Sequence, residues 1–196
     1  MNPGRLLLRG VVGPLFVGHG TQKLLGWFGG HGLDGTGAFF EQLGLKPGKR
    51  HATGAGAAEA VGGALLTLGA LTPVAAGLIT GTMITAIRKV HLEKGPWVTN
   101  GGYEYNLTLI AAVLALTEAG PGRPSVDASV FPRLKGNALA LTAFAASAAG
   151  ATLLTSERFT PAEHTQAEGE GELPGDPAAP RQERFTREGA EVPAGG

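Results

Sequence analysis

Six ionisable side chains lie within or beside long apolar stretches of this sequence, where a charge is costly. They are His19, Lys23, Glu59, Arg88, His91 and Glu104. Placing Lys, Arg or Asp at the centre of a membrane helix costs roughly 2.5–3.5 kcal/mol on the insertion scale. Ionisable residues at such positions usually face the interior of a helix bundle, pair with one another and mark a functional site. These six side chains are therefore the candidates for chemistry.

The order of the apolar segments brings most of these groups to one membrane surface. Suppose that successive segments cross the membrane in opposite directions. The end of the first segment, the start of the second, the end of the third and the start of the fourth then all lie on the same side. That side collects one polar layer, made of Lys23, Glu59, Arg88, His91 and Glu104. His19 joins this layer because it shares a helical face with Lys23, four residues further on.

Two interpretations of this polar layer remain open. In the functional one, it is a buried site that binds a quinone, an anion or a proton. In the structural one, it is an ion-pair network whose long side chains extend to the interface, as Arg9 would do on the opposite side. Glu59 and His19 fit the structural interpretation least well. No metal site is expected, because the two histidines and two carboxylates have no tight ligand spacing.

Five apolar segments must position these groups. A crossing of the bilayer core needs roughly 20 helical residues. Residues 61–87 and 107–117 carry no charge on any face, so a soluble bundle, which needs a charged face, is disfavoured. We predict an all-α, polytopic membrane helical bundle with four core transmembrane helices and a fifth, over the segments 6–28, 54–71, 73–90, 105–119 and 136–154.

Small residues recur at four-residue spacing on the second and third segments. They are Gly54, Ala58 and Gly62 on one and Gly77 and Gly81 on the other. Membrane helices associate through close backbone approach at such positions. The spacing therefore predicts tight packing of the hairpin formed by these two segments.

Composition divides the chain into an apolar body and an acidic tail. Residues 1–155 hold 12 Lys and Arg against 7 Asp and Glu, whereas residues 156–196 hold 4 against 9. The tail has too few apolar residues to offset its ordering entropy, so we predict a disordered segment over 156–196. The predicted organisation is a four-helix membrane domain at 1–130, an additional transmembrane helix at 131–155, and the tail. Neither part has the dense basic patches of a nucleic-acid-binding protein.

Five short motifs occur in a recognisable order after Arg9. They are HGTQKLLGWFGG at 19–30, AAEAVGGALLTLG at 57–69, MITAIRKVH at 83–91, GGYEYNL at 101–107 and GPGRPSVD at 120–127. With these motifs the sequence resembles the DoxX family of bacterial integral membrane proteins, within the DoxD-like group, over about residues 5–130. The apolar segment at 136–154 and the acidic tail are additions to the minimal family pattern.

The resemblance implies a four-helix core in the bacterial plasma membrane, with a cytoplasmic N-terminus and several crossings. It also implies polar residues at the matching positions, including Ser125 and Asp127 in the last motif. Members of the family are associated with redox systems, some as subunits of a thiosulfate:quinone oxidoreductase. Others are linked to membrane complexes that handle oxidative stress together with soluble partners.

The function expected from these observations is that of an integral membrane subunit associated with a redox or oxidative-stress complex, with a quinone as the ligand it could face. As an enzyme, it would be a non-catalytic or quinone-interacting subunit of a membrane oxidoreductase. The chain has no cysteine, no glycine-rich nucleotide fingerprint and no haem motif, so we expect no cofactor bound by its own motif. The expected partners are the lipid bilayer and a soluble or membrane redox protein. A small-molecule or proton-linked transporter and a non-catalytic scaffold are the alternatives.

Overall fold

The computed structural model describes residues 2–156, and the regular elements within this range are all helical. In chain order the α-helices are α1 (Pro3–Leu25), α2 (Gly32–Gln42), α3 (Gly48–Leu68), α4 (Thr72–Ala86), α5 (Glu104–Ala119), α6 (Val126–Val130) and α7 (Asn137–Thr155). The all-α class predicted from the sequence is confirmed. The predicted disorder of the acidic tail falls on residues that, apart from Ser156, lie outside the described range.

Glycines in the left-handed region end two of the long helices. α1 begins with Pro3, where the missing N–H costs no hydrogen bond, and stops at Gly26 with a φ of 73°. α3 stops at Gly69 with a φ of 60°, and the N–H of Ala70 then bonds the carbonyl of Leu65 at 2.9 Å. The stop at Gly69 turns the chain back, so that α3 and α4 form the predicted hairpin.

α1 packs closely against α3 through glycines. A Cβ atom at Gly20 would lie 2.6 Å from the carbonyl oxygen of Gly56, which is inside van der Waals contact. About two turns earlier on α1, a Cβ atom at Gly13 would lie 2.8 Å from the carbonyl oxygen of Gly63. The two backbones therefore touch, as small residues allow at helix interfaces.

The predicted role of the small residues in the α3–α4 hairpin is only partly correct. Gly62 packs against Leu78 and Ile79 of α4, as expected. No atom lies within 4 Å of a Cβ placed at Gly54, however, and the nearest neighbour of Gly77 is Ser147. The physical reason is that α7 covers this face of α4, and Ser147 donates a hydrogen bond to the carbonyl of Gly77 at 2.7 Å.

α4 lies at the centre of the bundle, packed against α3, α5 and α7. Its apolar side chains meet those of α1, α3 and α5 in one cluster, formed by Phe16, Leu66, Ala75, Ala76, Ile79, Met83, Leu109, Ile110, Val113 and Leu116. Beyond Ala86 the helix widens into a π-helical turn at Ile87–His91. Single π-turns of this kind occur often at functional sites.

Within the described residues, α7 is the one helix that is long and apolar enough to cross a membrane. It matches the predicted fifth segment at 136–154. α5 has 16 residues, fewer than the roughly 20 that a crossing needs, whereas the 15 residues of α4 are continued by the five of the π-helical turn. α1 and α3 are longer, with 23 and 21 residues, but they carry ionisable side chains.

α3 begins at Gly48, well before the predicted start at Gly54. Its polar first turn does not belong to an apolar run, and the carboxylate of Glu41 accepts a hydrogen bond from the N–H of Gly48 at 3.0 Å. At a rise of about 1.5 Å per residue, Glu59 lies roughly 16 Å along the helix from Gly48. Glu59 is therefore much further from the start of its helix than the sequence predicted.

Candidate functional site

A cavity of about 830 Å³ lies in the half of the bundle where α1 ends and α3 begins. Side chains of α1, α2, α3, α4, α5 and α7 line it. Most of the wall is apolar, with Phe16, Phe39, Leu45, Leu78 and Leu109 among its residues. Its size lies within the range of small-molecule sites, which are typically apolar with a few placed polar groups.

An ion pair between Lys23 and Glu59 forms part of this wall. The ammonium of Lys23 lies 2.6 Å from Oε2 of Glu59. The Glu59 side chain is 6% exposed and that of Lys23 is 25% exposed. The pair can form because the neighbouring contact of Gly20 with Gly56 holds α1 close to α3. The structure thus brings together two of the residues singled out in the sequence.

Two histidines from the predicted polar layer also line the cavity. His19 lies beside Gln22, with 3.0 Å between Nδ1 and the amide oxygen. His91 belongs to the π-helical turn, and its Nδ1 lies 2.6 Å from the carbonyl oxygen of Gly101. A carbonyl oxygen only accepts, so Nδ1 of His91 carries the hydrogen. In the neutral imidazole, Nε2 is then an acceptor.

Arg88 and Glu104 do not line the cavity, although the sequence predicted them in the same layer. Arg88 is exposed and donates from Nε to the hydroxyl of Thr155 at 2.8 Å, so it ties α4 to the end of α7. Glu104 accepts a hydrogen bond from the N–H of Val98 at 2.7 Å, so it orders the loop before α5. Both side chains therefore stabilise the fold and take no part in the cavity.

Several polar groups of the cavity wall are not among the residues predicted from the sequence, namely Arg50, His51, Lys89 and Asn106. Asn106 is 6% exposed and its amide nitrogen lies 3.3 Å from the sulfur of Met83. An amide inside the apolar run at 105–119 is a signal that could have found it. Arg50 and His51 fall outside the predicted segments because the predicted start of α3 is too late.

The short helix α2 closes one side of the cavity. An ion pair between Asp34 and Lys49 links it to the first turn of α3, with 2.5 Å between Oδ1 and the ammonium. The hydrogen bond with Lys49, together with the charge of that lysine, holds the pKa of Asp34 below the usual value. Both side chains are largely exposed, so solvent screens the attraction.

A second buried polar cluster lies at the opposite end of the bundle, around Asp127. This carboxylate is 1% exposed. It accepts hydrogen bonds from the N–H of Leu71 at 2.7 Å, the N–H of Thr72 at 2.8 Å and the hydroxyl of Thr72 at 2.6 Å. Asp127 therefore caps the start of α4, where free N–H groups favour an anion. Ser125 caps α6, since its hydroxyl accepts from the N–H of Ala128 at 3.2 Å.

Arg9 lies beside Asp127, and its expected extension towards the interface was wrong. It is 2% exposed, and Nη2 donates to the carbonyl of Pro124 at 2.6 Å. Its Nε and Nη1 have no hydrogen-bond partner among the described atoms. The loop before α6 covers the guanidinium, and the charge of Asp127 attracts it. Across residues 2–156, no group of three or more His, Asp or Glu side chains is placed to hold a metal ion.

The part of the chain that forms α1 to α4 matches a known protein family. The sequence profile of the DoxX family matches residues 4–92. A protein of Bacillus subtilis (strain 168) named "Putative oxidoreductase CatD" is 36% identical over 114 residues, which cover 58% of this chain and 78% of that protein. No solved structure matches the chain. These findings confirm the resemblance carried by the sequence motifs.

Proposed function

Since this chain belongs to the DoxX family, we propose that it is an integral membrane subunit associated with a redox or oxidative-stress complex. The name of the similar Bacillus subtilis protein, "Putative oxidoreductase CatD", supports the redox assignment. The matched part of this chain contains Lys23, Glu59 and His91, which line the large cavity. The cavity is therefore the part of the molecule to which the proposal assigns a function.

Under this proposal, α1, α3, α4, α5 and α7 cross the bacterial cell membrane. Large apolar side chains on the outward faces of these helices support it, such as Leu7, Val61, Val74, Leu107 and Leu141, which are all exposed. Exposed apolar side chains on each of these helices suit contact with lipid, which would remove them from water. Trp27 and Trp97, both exposed near the same end of the bundle, fit the aromatic belt of a membrane interface.

The observation that carries the functional proposal is a buried ion pair on the wall of a large apolar cavity. We assign this cavity to a quinone, whose apolar tail suits the wall and whose ring carbonyls are hydrogen-bond acceptors. Lys23 has three N–H donors, and its described hydrogen bond goes to Glu59, so its ammonium can donate to a ring carbonyl as well. His19 and His91 lie on the same wall.

The proposal assigns the electron-carrying cofactor to a partner protein. The sequence has no cysteine and no nucleotide or haem motif, and a quinone accepts electrons from a donor that must reach it. The chain then supplies the membrane anchor and the quinone site of the complex. Isolation from native membranes in mild detergent should recover the partner together with the chain. Recovery as a lone protein without quinone or flavin would contradict this role.

Adjacent alanines on α3 allow a direct test of the cavity. Ala58 lines it, whereas Ala57 is exposed and lies outside its wall. The full chain is purified in detergent, and bound quinone is quantified by chromatography after solvent extraction. Ala58→Phe should remove most of the bound quinone because the ring fills the cavity, while Ala57→Phe should retain it. Equal quinone content in the two variants, at equal thermal stability, would refute the cavity as the quinone site.

A further inference from the structure

A second, smaller cavity lies at the end of the bundle opposite the first. It has a volume of about 300 Å³ and lies between the start of α1, the loop after α5 and the loop before α7. Among the described residues of its wall, Arg5, Arg123 and Lys135 are cations and Asp127 is the one carboxylate. We call this cavity the basic cleft.

The carboxylate of Asp127 does little to neutralise the basic cleft. Its two oxygens already accept hydrogen bonds from Leu71 and Thr72, and the buried Arg9 lies within range of its charge. Asp127 is also 1% exposed, so it offers almost no surface to a ligand. The cations of the wall therefore give the cleft an excess of positive charge.

Two of the cations are held in place by the turn after α5. Arg5 donates from Nη1 to the carbonyls of Ala119 at 2.8 Å and Gly120 at 3.4 Å, which leaves its Nε and Nη2 donors for a ligand. Its Cδ would lie 3.3 Å from a Cβ atom at Gly122, and the Cδ of Lys135 would lie 2.8 Å from one at Gly120. Both side chains thus lie directly on glycine backbone. Because this packing already restricts their rotamers, the two side chains lose less conformational entropy when they bind a ligand.

We infer that the basic cleft binds a phosphate group, and that the phosphate is the headgroup of an acidic phospholipid. Arg and Lys are the side chains that recognise phosphate, Arg through paired hydrogen bonds and Lys as a point charge. Basic pockets between membrane helices near one surface are typical headgroup sites. The lipid source rests on the membrane embedding proposed above, whereas the phosphate chemistry rests on the cleft alone.

The test compares wild type with a variant that removes two exposed cations of the cleft, Arg123→Gln/Lys135→Gln. The control, Arg133→Gln/Lys94→Gln, removes the same charge from exposed residues outside the cleft. The full chain in detergent is titrated with short-chain phosphatidylglycerol, with phosphatidylcholine of equal chain length and with inorganic phosphate. Binding is followed by native mass spectrometry and by the shift in thermal unfolding.

Phosphatidylglycerol should bind the wild type and the control alike, and its affinity for the cleft variant should fall at least about tenfold. Phosphatidylcholine should bind much more weakly, because its quaternary ammonium group balances the charge of the phosphate. Binding of inorganic phosphate to the wild type without binding of phosphatidylglycerol would overturn the lipid source and assign the cleft to the free anion. Equal affinity of the cleft variant and the control for phosphatidylglycerol would overturn the inference. The quinone content of the same preparations reports separately on the first cavity.

Discussion

Lys23 on α1 and Glu59 on α3 form an ion pair whose two partners are buried to different extents. The carboxylate side chain is 6% exposed and the lysine side chain is 25% exposed, at a separation of 2.6 Å. Loss of the lysine strands a carboxylate inside the bundle, whereas loss of the carboxylate leaves a lysine that can turn its ammonium towards solvent. The two residues of the pair therefore contribute unequally to the stability of the contact between α1 and α3.

This asymmetry predicts different costs for the two single substitutions. Lys23→Met should lower the free energy of unfolding by about 3 kcal/mol or more, because it leaves a buried charge uncompensated. Glu59→Gln should cost clearly less, and Lys23→Met/Glu59→Gln should recover part of the loss. Denaturation of the purified variants in one detergent measures the three values. Equal losses for both single variants would show that burial does not decide the energy of the pair.

Two glycines of α1 provide a matched test of its contact with α3. Gly20 abuts the backbone of α3, whereas a Cβ atom at Gly18 would have no neighbouring atom within 4 Å. Gly20→Ala should destabilise the protein by about 1–3 kcal/mol, because a methyl group there forces the helices apart. Gly18→Ala should be neutral or slightly stabilising, since alanine favours helix. Thermal unfolding distinguishes them, and a stabilised Gly20→Ala variant would contradict the backbone contact.

Asp127 should be sensitive even to a change that preserves its shape. Asparagine offers one oxygen where aspartate offers two, and its amide would point N–H groups at the N–H donors of Leu71 or Thr72. We therefore expect Asp127→Asn to cost about 3 kcal/mol of stability, close to the cost of Asp127→Ala. Ser129→Ala, at an exposed site on the same short helix, is the control. Protection of the α4 amides in hydrogen exchange should fall in the Asp127 variants alone.

The cysteine-free sequence makes the proposed topology directly measurable. Five crossings place Asn2 on one side of the membrane and both Lys94 and Ser156 on the other. Single cysteines at these positions should label with an impermeant maleimide in two groups, with Lys94→Cys and Ser156→Cys together and Asn2→Cys apart. Labelling of Ser156→Cys with Asn2→Cys would remove α7 from the crossings while keeping the other four.

The contact of Asp34 with Lys49 predicts a pH effect at the docking of α2. Because this contact lowers the pKa of Asp34, its stabilisation is present above the ordinary Asp value of about 3.9. It is lost as the pH falls through the lower, folded-state pKa. Carboxyl ¹³C NMR should give Asp34 a midpoint below about 3.9 that returns towards this value in Lys49→Met. Lys94→Met should leave the midpoint where it is.

The sequence predicted the helices well because apolar runs mark them directly. The segments at 54–71, 73–90 and 105–119 correspond to α3, α4 and α5, and 136–154 corresponds to α7. The start of α3 was not predicted, since its first turn contains Lys49 and Arg50 and depends on a hydrogen bond to a residue of α2. A polar helix start held by a tertiary contact leaves no hydropathy signal.

The candidate site was predictable only where chain topology decides proximity. The order of the segments placed Lys23 and Glu59 in one layer with three other groups, but it did not predict that these two would pair, because the depth of Glu59 within α3 depends on where that helix begins. The burial of Arg9 and the capping role of Asp127 depend on contacts across 115 and 55 residues. Such long-range contacts are set by how a loop folds back, which spacing along the chain does not encode.

The contact of Asp127 with Thr72 also orders events during synthesis. The ribosome makes the chain from the N-terminus, so α4 and α5 are complete before the carboxylate that caps α4 exists. Until then the first N–H groups of α4 lack that acceptor, and Arg9 lacks its acidic neighbour. This end of the bundle therefore cannot reach its final structure until residue 127 has left the ribosome.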